Sequence, residues 1–163
     1  MQDTFAALGL GQELLTELAT LGYEEPTPIQ KAAIAPLIEG KDLLGQAATG
    51  TGKTAAFALP LLQRIGRLKT EPMKPLALIL VPTRELAVQV SEALHKYSKG
   101  MHTSVVPIYG GQDFRRQVIA LKRGGHFRQR VAPAAGANRW HLFVNFCCRL
   151  VTRPLLSLRW WFR

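Results

Sequence analysis

Eight residues, Ala47-Ala48-Thr49-Gly50-Thr51-Gly52-Lys53-Thr54, lie between a short apolar run, Asp42-Leu43-Leu44-Gly45-Gln46, and an amphipathic stretch that begins at Thr54. The run predicts a short buried strand, and a strand that feeds a Gly/Thr-rich loop and then a helix is the arrangement of a phosphate-binding loop. Its glycines let successive backbone N–H groups point at phosphate oxygens, and the helix opening near Gly52 adds the positive end of its dipole. In that arrangement Lys53 reaches the β- and γ-phosphates and the Thr54 hydroxyl binds magnesium, so the loop points to ATP and Mg2+. The strict pattern begins with Gly; Ala47 makes this a relaxed form. The plainer alternative is a turn before a helix, with Lys53 merely solvated. As a phosphate-binding loop it demands a strand before it and a helix after it, which limits the chain to few folds.

The rest of the chain supplies matching elements. Leu14, Leu15, Leu18 and Leu21 recur at helical spacing over residues 12–21, and Gly22 supplies a stop. Thr27-Pro28-Ile29-Gln30 reads as a helix start, with Thr27 as N-cap, Pro28 first in the helix and Gln30 completing a capping box; this helix runs to about Glu39. A third helix spans Thr54 to about Ile65, and Pro60 predicts a kink. Residues 69–75 read as a loop. The continuous run Leu76-Ala77-Leu78-Ile79-Leu80-Val81 suits a parallel strand covered on both faces. A helix over 83–98, a strand over 104–109 and a helix over 112–123 complete the pattern. Strands alternating with helices predict an α/β sandwich around a parallel sheet.

Charge divides the chain in two. Of 163 residues with net charge +10, the first 113 hold all 11 acidic residues and 10 Lys/Arg, whereas residues 114–163 hold no acid and 11 Lys/Arg. All three Trp and both Cys, Cys147 and Cys148, lie in that last third. Adjacent cysteines do not readily bridge each other and lack the spaced partners of a zinc site, so reduced thiols are expected. No stretch nears the roughly 18 apolar residues of a membrane span, and the first residues do not resemble a secretory signal; the expectation is a cytoplasmic protein without a membrane partner. Beyond Gly124-Gly125 the periodicity ends, with Leu142–Phe146 the one segment that could be a strand.

Over about residues 4–123 the chain resembles the DEAD-box ATP-dependent RNA helicases, particularly bacterial ones. Phe5 followed by Gly22-Tyr23-Glu24-Glu25-Pro26-Thr27-Pro28-Ile29-Gln30 is similar to that family's glutamine motif, which reads adenine, and Ala47–Thr54 is similar to its phosphate loop. Pro82-Thr83-Arg84-Glu85-Leu86-Ala87 resembles the motif that grips the RNA backbone, and Gly110-Gly111 a glycine pair that also approaches RNA. The resemblance implies an incomplete RecA-like, three-layer α/β sandwich that binds ATP, magnesium and RNA. Each motif also has a structural reading. Gln30 can serve adenine, the capping box, or both; Tyr23 can stack on a ligand or sit in the core. Arg84 can hold phosphate or lie on the surface beside Glu85, and a glycine pair can simply make a turn.

The departures from the family are as definite as the matches. The Asp-Glu-Ala-Asp motif that completes magnesium binding and activates water, the Ser-Ala-Thr motif, the Thr-Pro-Gly-Arg RNA motif and the second RecA-like domain do not occur in these residues, and no acidic residue follows Asp113. The expected division is a partial ATP-binding domain over 1–123 and a non-matching basic tail over 124–163. An abrupt Arg/Trp/Pro/Cys-rich tail suggests a change of reading frame near Gly124. Alternatively, its Arg residues interleaved with Trp and Phe form a genuine arm for single-stranded RNA. The functional expectation is a helicase fragment with little or no hydrolysis, against a nucleotide- or RNA-binding remnant and a non-functional truncated product.

Overall fold

The computed structural model describes residues 4–68, 76–101, 103–122 and 127–131. A 3-10 turn, Phe5–Leu8, leads into α1 (Gln12–Thr20), α2 (Pro28–Ile38) and α3 (Lys53–Gly66); then come β1 (Ala77–Val81), α4 (Arg84–Tyr97), β2 (Val105–Ile108), α5 (Phe114–Lys122) and β3 (Phe127–Val131). Local signals set these boundaries. At the end of α1 the Tyr23 N–H donates to the Leu18 carbonyl at 2.9 Å and the Gly22 N–H to Ala19 at 3.1 Å, a Schellman closure that fixes where Tyr23 emerges. α2 opens on the expected capping box. α3 begins one residue before the expected Thr54 and runs unbroken through Pro60 to Gly66.

α3 is buried on nearly every side from Ala55 to Leu62, as befits a helix apolar all round, and it is packed between α2 and α4. The Gly11 N–H donates to Gln63 Oε1 at 2.6 Å, tying the start of α1 to α3. α4 turns Ala87, Val90, Ser91, Leu94 and Tyr97 inward and rests on the sheet. Its ladder is fully parallel in the order β1-β3-β2, with Ala77 and Val105 both in register with Phe127. Each parallel step needs a crossover, and α4 and α5 supply them.

Three expectations change. Residues 42–46 are not a strand: no strand among the described residues pairs with them, Leu44 is 74% exposed and Leu43 only half-buried. A strand is defined by its ladder, and this apolar run has none. β1 is covered on one face only: Ala77, Ile79 and Val81 are buried while Leu78 and Leu80 are 41% and 57% exposed. The third layer of the sandwich is therefore incomplete over β1. Finally, β3 occupies the centre of the sheet although residues 127–131 carry no apolar run. The expected loop at 69–75, the possible strand at 142–146 and the two cysteines lie outside the described residues. Among the described residues, no helix is long and apolar enough to cross a membrane.

Candidate nucleotide and RNA site

The capping box of α2 extends into the phosphate loop. The Thr27 N–H donates to Gln30 Oε1 at 2.9 Å, closing the local half of the motif. The other end of the same amide, Gln30 Nε2, donates to the Gly52 carbonyl at 3.2 Å, and the Thr27 hydroxyl donates to the Thr51 carbonyl at 2.9 Å. Gln30 is only 1% exposed, so its amide is held at both ends by backbone partners. Gly52 is required at this junction: its φ is 82°, and a methyl group there would lie 2.4 Å from Gln30 Nε2. The capping and loop-holding roles of Gln30 coexist in one side chain.

Within the loop, the Thr51 hydroxyl donates to the Ala48 carbonyl at 2.8 Å. Lys53 Nζ bends back over the loop and donates to the carbonyls of Ala47 and Ala48 at 2.7 and 2.6 Å. The ammonium thus stands at the loop's mouth, on neutral acceptors that an anion would outcompete. Ala48, Thr49 and Gly50 are exposed. This donor set fits a phosphate group. For magnesium the fit is thinner: Thr54 stands next in the helix, but the described residues contain no grouping of three or more His, Cys, Asp or Glu side chains. A cavity behind the loop, lined by Ile29, Ala33, Leu37, Leu43, Ala56 and Phe57 among others, is mainly apolar.

Phe5 and Tyr23, the other adenine candidates, come together, and their neighbour is a third aromatic. Phe5 is buried and meets Tyr23 edge-to-face at 6.2 Å; Tyr23 meets Tyr97 of α4 edge-to-face at 6.0 Å. The two phenol hydroxyls are hydrogen-bonded at 2.8 Å. Burial above all, and then the Tyr23 hydroxyl, push the Tyr97 phenol well above its ordinary range. Tyr23 is half-buried between Phe5 and Tyr97, and Tyr97 is a partner that sequence spacing gave no means of finding.

The RNA candidates converge at the opposite end of α4. Thr83 caps the helix, its hydroxyl accepting from the Leu86 N–H at 3.2 Å, and Pro82, Thr83 and Arg84 are exposed. The Arg84 guanidinium lies over the turn at Gly110 and Gly111: methyl groups placed there would sit 3.8 and 2.9 Å from its nitrogens. Two motifs separated in sequence thus share one surface. A further residue, Gln117 of α5, braces this turn by donating from Nε2 to the carbonyls of Tyr109 at 3.1 Å and Gln112 at 3.4 Å, one on each side of the glycines. Its Oε1 is buried without a hydrogen-bond partner among the described residues. Only its position on the inner face of a predicted helix pointed to it.

The DEAD/DEAH box helicase family model matches residues 27–131, which reaches through β3. The chain is 49% identical over 123 residues to the DEAD-box ATP-dependent RNA helicase CshA of Bacillus cereus (strain ATCC 10987 / NRS 248), covering 76% of this chain and 23% of that one. It is 52% identical over 124 residues to the ATP-dependent RNA helicase DeaD of Klebsiella pneumoniae, covering 76% and 19%. The chain therefore spans less than a quarter of these relatives' length. Among solved structures, the RNA-helicase Prp28 from Chaetomium thermophilum bound to ADP aligns with TM-score 0.72 and 41% identity, over 78% of this chain and 32% of that one. A DEAD box protein from the hyperthermophile Methanococcus jannaschii aligns with TM-score 0.67 and 31% identity, over 77% and 34%. Matched by this family model over more than half of its residues, the chain belongs to the DEAD/DEAH box helicase family.

Proposed function

We propose that these 163 residues are the nucleotide-gripping and first RNA-contacting part of an ATP-dependent RNA helicase, and that they bind ATP and RNA with little or no turnover. The observation that carries the reading is the junction of Thr27 and Gln30 with the carbonyls of Thr51 and Gly52, which fastens the glutamine motif to the phosphate loop. Lys53 exchanges the Ala47 and Ala48 carbonyls for phosphate oxygens, while Thr54 offers its hydroxyl to magnesium. Phe5 and Tyr23 shape the adenine side. Arg84 and the Gly110–Gly111 turn hold the RNA backbone, so recognition is of phosphate and sugar and not of sequence. Bound nucleotide supplies the phosphoryl group, but no carboxylate after Asp113 is available to orient water or to complete a magnesium shell.

Equilibrium titration with a fluorescent ADP analogue tests this. Saturable, magnesium-dependent binding that falls at least tenfold in Lys53→Ala is expected. Its absence in the unaltered chain favours a non-functional product, and RNA-stimulated ATP turnover that vanishes in Lys53→Ala overturns the low-turnover half of the reading. For residues 124–163 we propose a change of reading frame near Gly124. The favouring observation is the abrupt change of composition: residues 114–163 hold no Asp or Glu and carry all three Trp and both Cys. Translating the coding DNA in the other two frames past Gly124 should uncover Asp-Glu-Ala-Asp; failure to find it removes the idea.

A further inference from the structure

We propose that Phe114 is a stacking platform for an unpaired RNA base, adding a base contact to the backbone-directed surface of Arg84 and Gly110–Gly111; this rests on the RNA reading of those residues given above. Phe114 is 77% exposed and is the only aromatic among the exposed large hydrophobic side chains of the described residues. It is the first residue of α5 and follows the glycine turn by three positions. Arg115 and Arg116, next to it, are exposed as well, and Arg84 stands over the turn just before it.

The helix terminus itself is not the attraction. Asp113 already serves it, with its carboxylate accepting from the Arg115 N–H at 2.8 Å and its carbonyl from the Gln117 N–H at 3.3 Å. What is left for a ligand is an exposed aromatic ring, with the exposed Arg115 and Arg116 next to it in sequence and Arg84 over the preceding turn. Arg116 stands only 4.0 Å from Asp113 and is 89% exposed, so that pairing does not neutralise the patch. A flexible polyanion with flat apolar faces matches such a surface: phosphates meet the arginines and a base covers the ring, whatever its identity, because every base has a π-face. Charge selects RNA over an apolar peptide, since no acidic residue follows Asp113 anywhere in the sequence.

Fluorescence anisotropy of the full chain with a labelled oligouridylate is the test. Phe114→Ala should weaken binding by about five-fold to over a hundred-fold, the range that stacking on one base ordinarily supplies. Phe114→Trp should keep the affinity, and its added indole emission should be quenched as RNA saturates. Against an abasic strand of equal length, Phe114→Ala should bind like the unaltered chain; equal weakening there means the substitution damaged the fold, and overturns the stacking role. If Arg84→Ala loses RNA while Phe114→Ala does not, the RNA surface stands and the platform is wrong. If the unaltered chain binds no RNA, the underlying reading fails and the platform with it. If Phe114→Ala leaves RNA affinity intact but abolishes self-association in sedimentation, the ring belongs to a protein contact and the proposal is overturned.

Discussion

Replacing Gln30 by Ala leaves the Thr27 N–H and the Gly52 carbonyl without their partners in a partly buried site. The expected cost is about 1–3 kcal/mol in urea unfolding, with loss of nucleotide-analogue binding beyond what that instability explains. Gly52→Ala is more severe: it forces a left-handed φ on a side chain whose methyl group collides with the Gln30 amide, so the helix start must shift. Half of this cluster could be read in advance. The capping box is local, three residues apart, whereas the bond from Gln30 to Gly52 spans 22 positions and leaves no trace in spacing. The Tyr23–Tyr97 pair, 74 positions apart, is still less legible. It predicts a pH dependence: because burial and the Tyr23 hydroxyl raise the Tyr97 phenol, the folded state keeps that proton after the unfolded chain has lost it. Stability from this group is complete below about pH 10 and declines as pH rises beyond it. Urea midpoints measured from about pH 8 to about pH 11 should fall for the unaltered chain and stay flatter for Tyr97→Phe.

Among the elements, helices were the most readable because their ends carry chemistry. Thr27 and Pro28 announced α2, and Gly22 and Gly40 closed α1 and α2 with left-handed residues. Thr83→Ala should cost about 1 kcal/mol by removing the acceptor for the Leu86 N–H, and should fray the turn that presents Arg84. Thermal melting followed by circular dichroism measures the first effect, and a weaker RNA interaction than melting alone explains would report the second. Strands were harder. The run at 42–46 has strand composition and no ladder, while 127–131 has a ladder and no strand composition. Pairing is a property of two chains side by side, and one chain's hydropathy reports it only when burial and pairing coincide.

At the scale of the whole molecule, the apolar residues Leu78 and Leu80 are exposed on β1, an edge strand among the described residues. Exposed strand edges with apolar neighbours recruit further chains. Substituting both leucines by Lys should raise the concentration at which light scattering first detects aggregates, and should change the melting temperature little, because neither side chain contributes a fully buried contact. The strand order carries a consequence in time. β1 and β2 do not pair with each other; each pairs with β3, the last of the three to be made. A nascent chain can therefore extend well past Ile108 before β1 and β2 meet the strand that, among the described residues, both of them pair with. Sheet formation is then an end-stage event set by the arrival of residues 127–131, so pulse-labelled amides of β1 and β2 should gain protection together and late, and a polypeptide stopped before Phe127 should offer chaperones both strands at once.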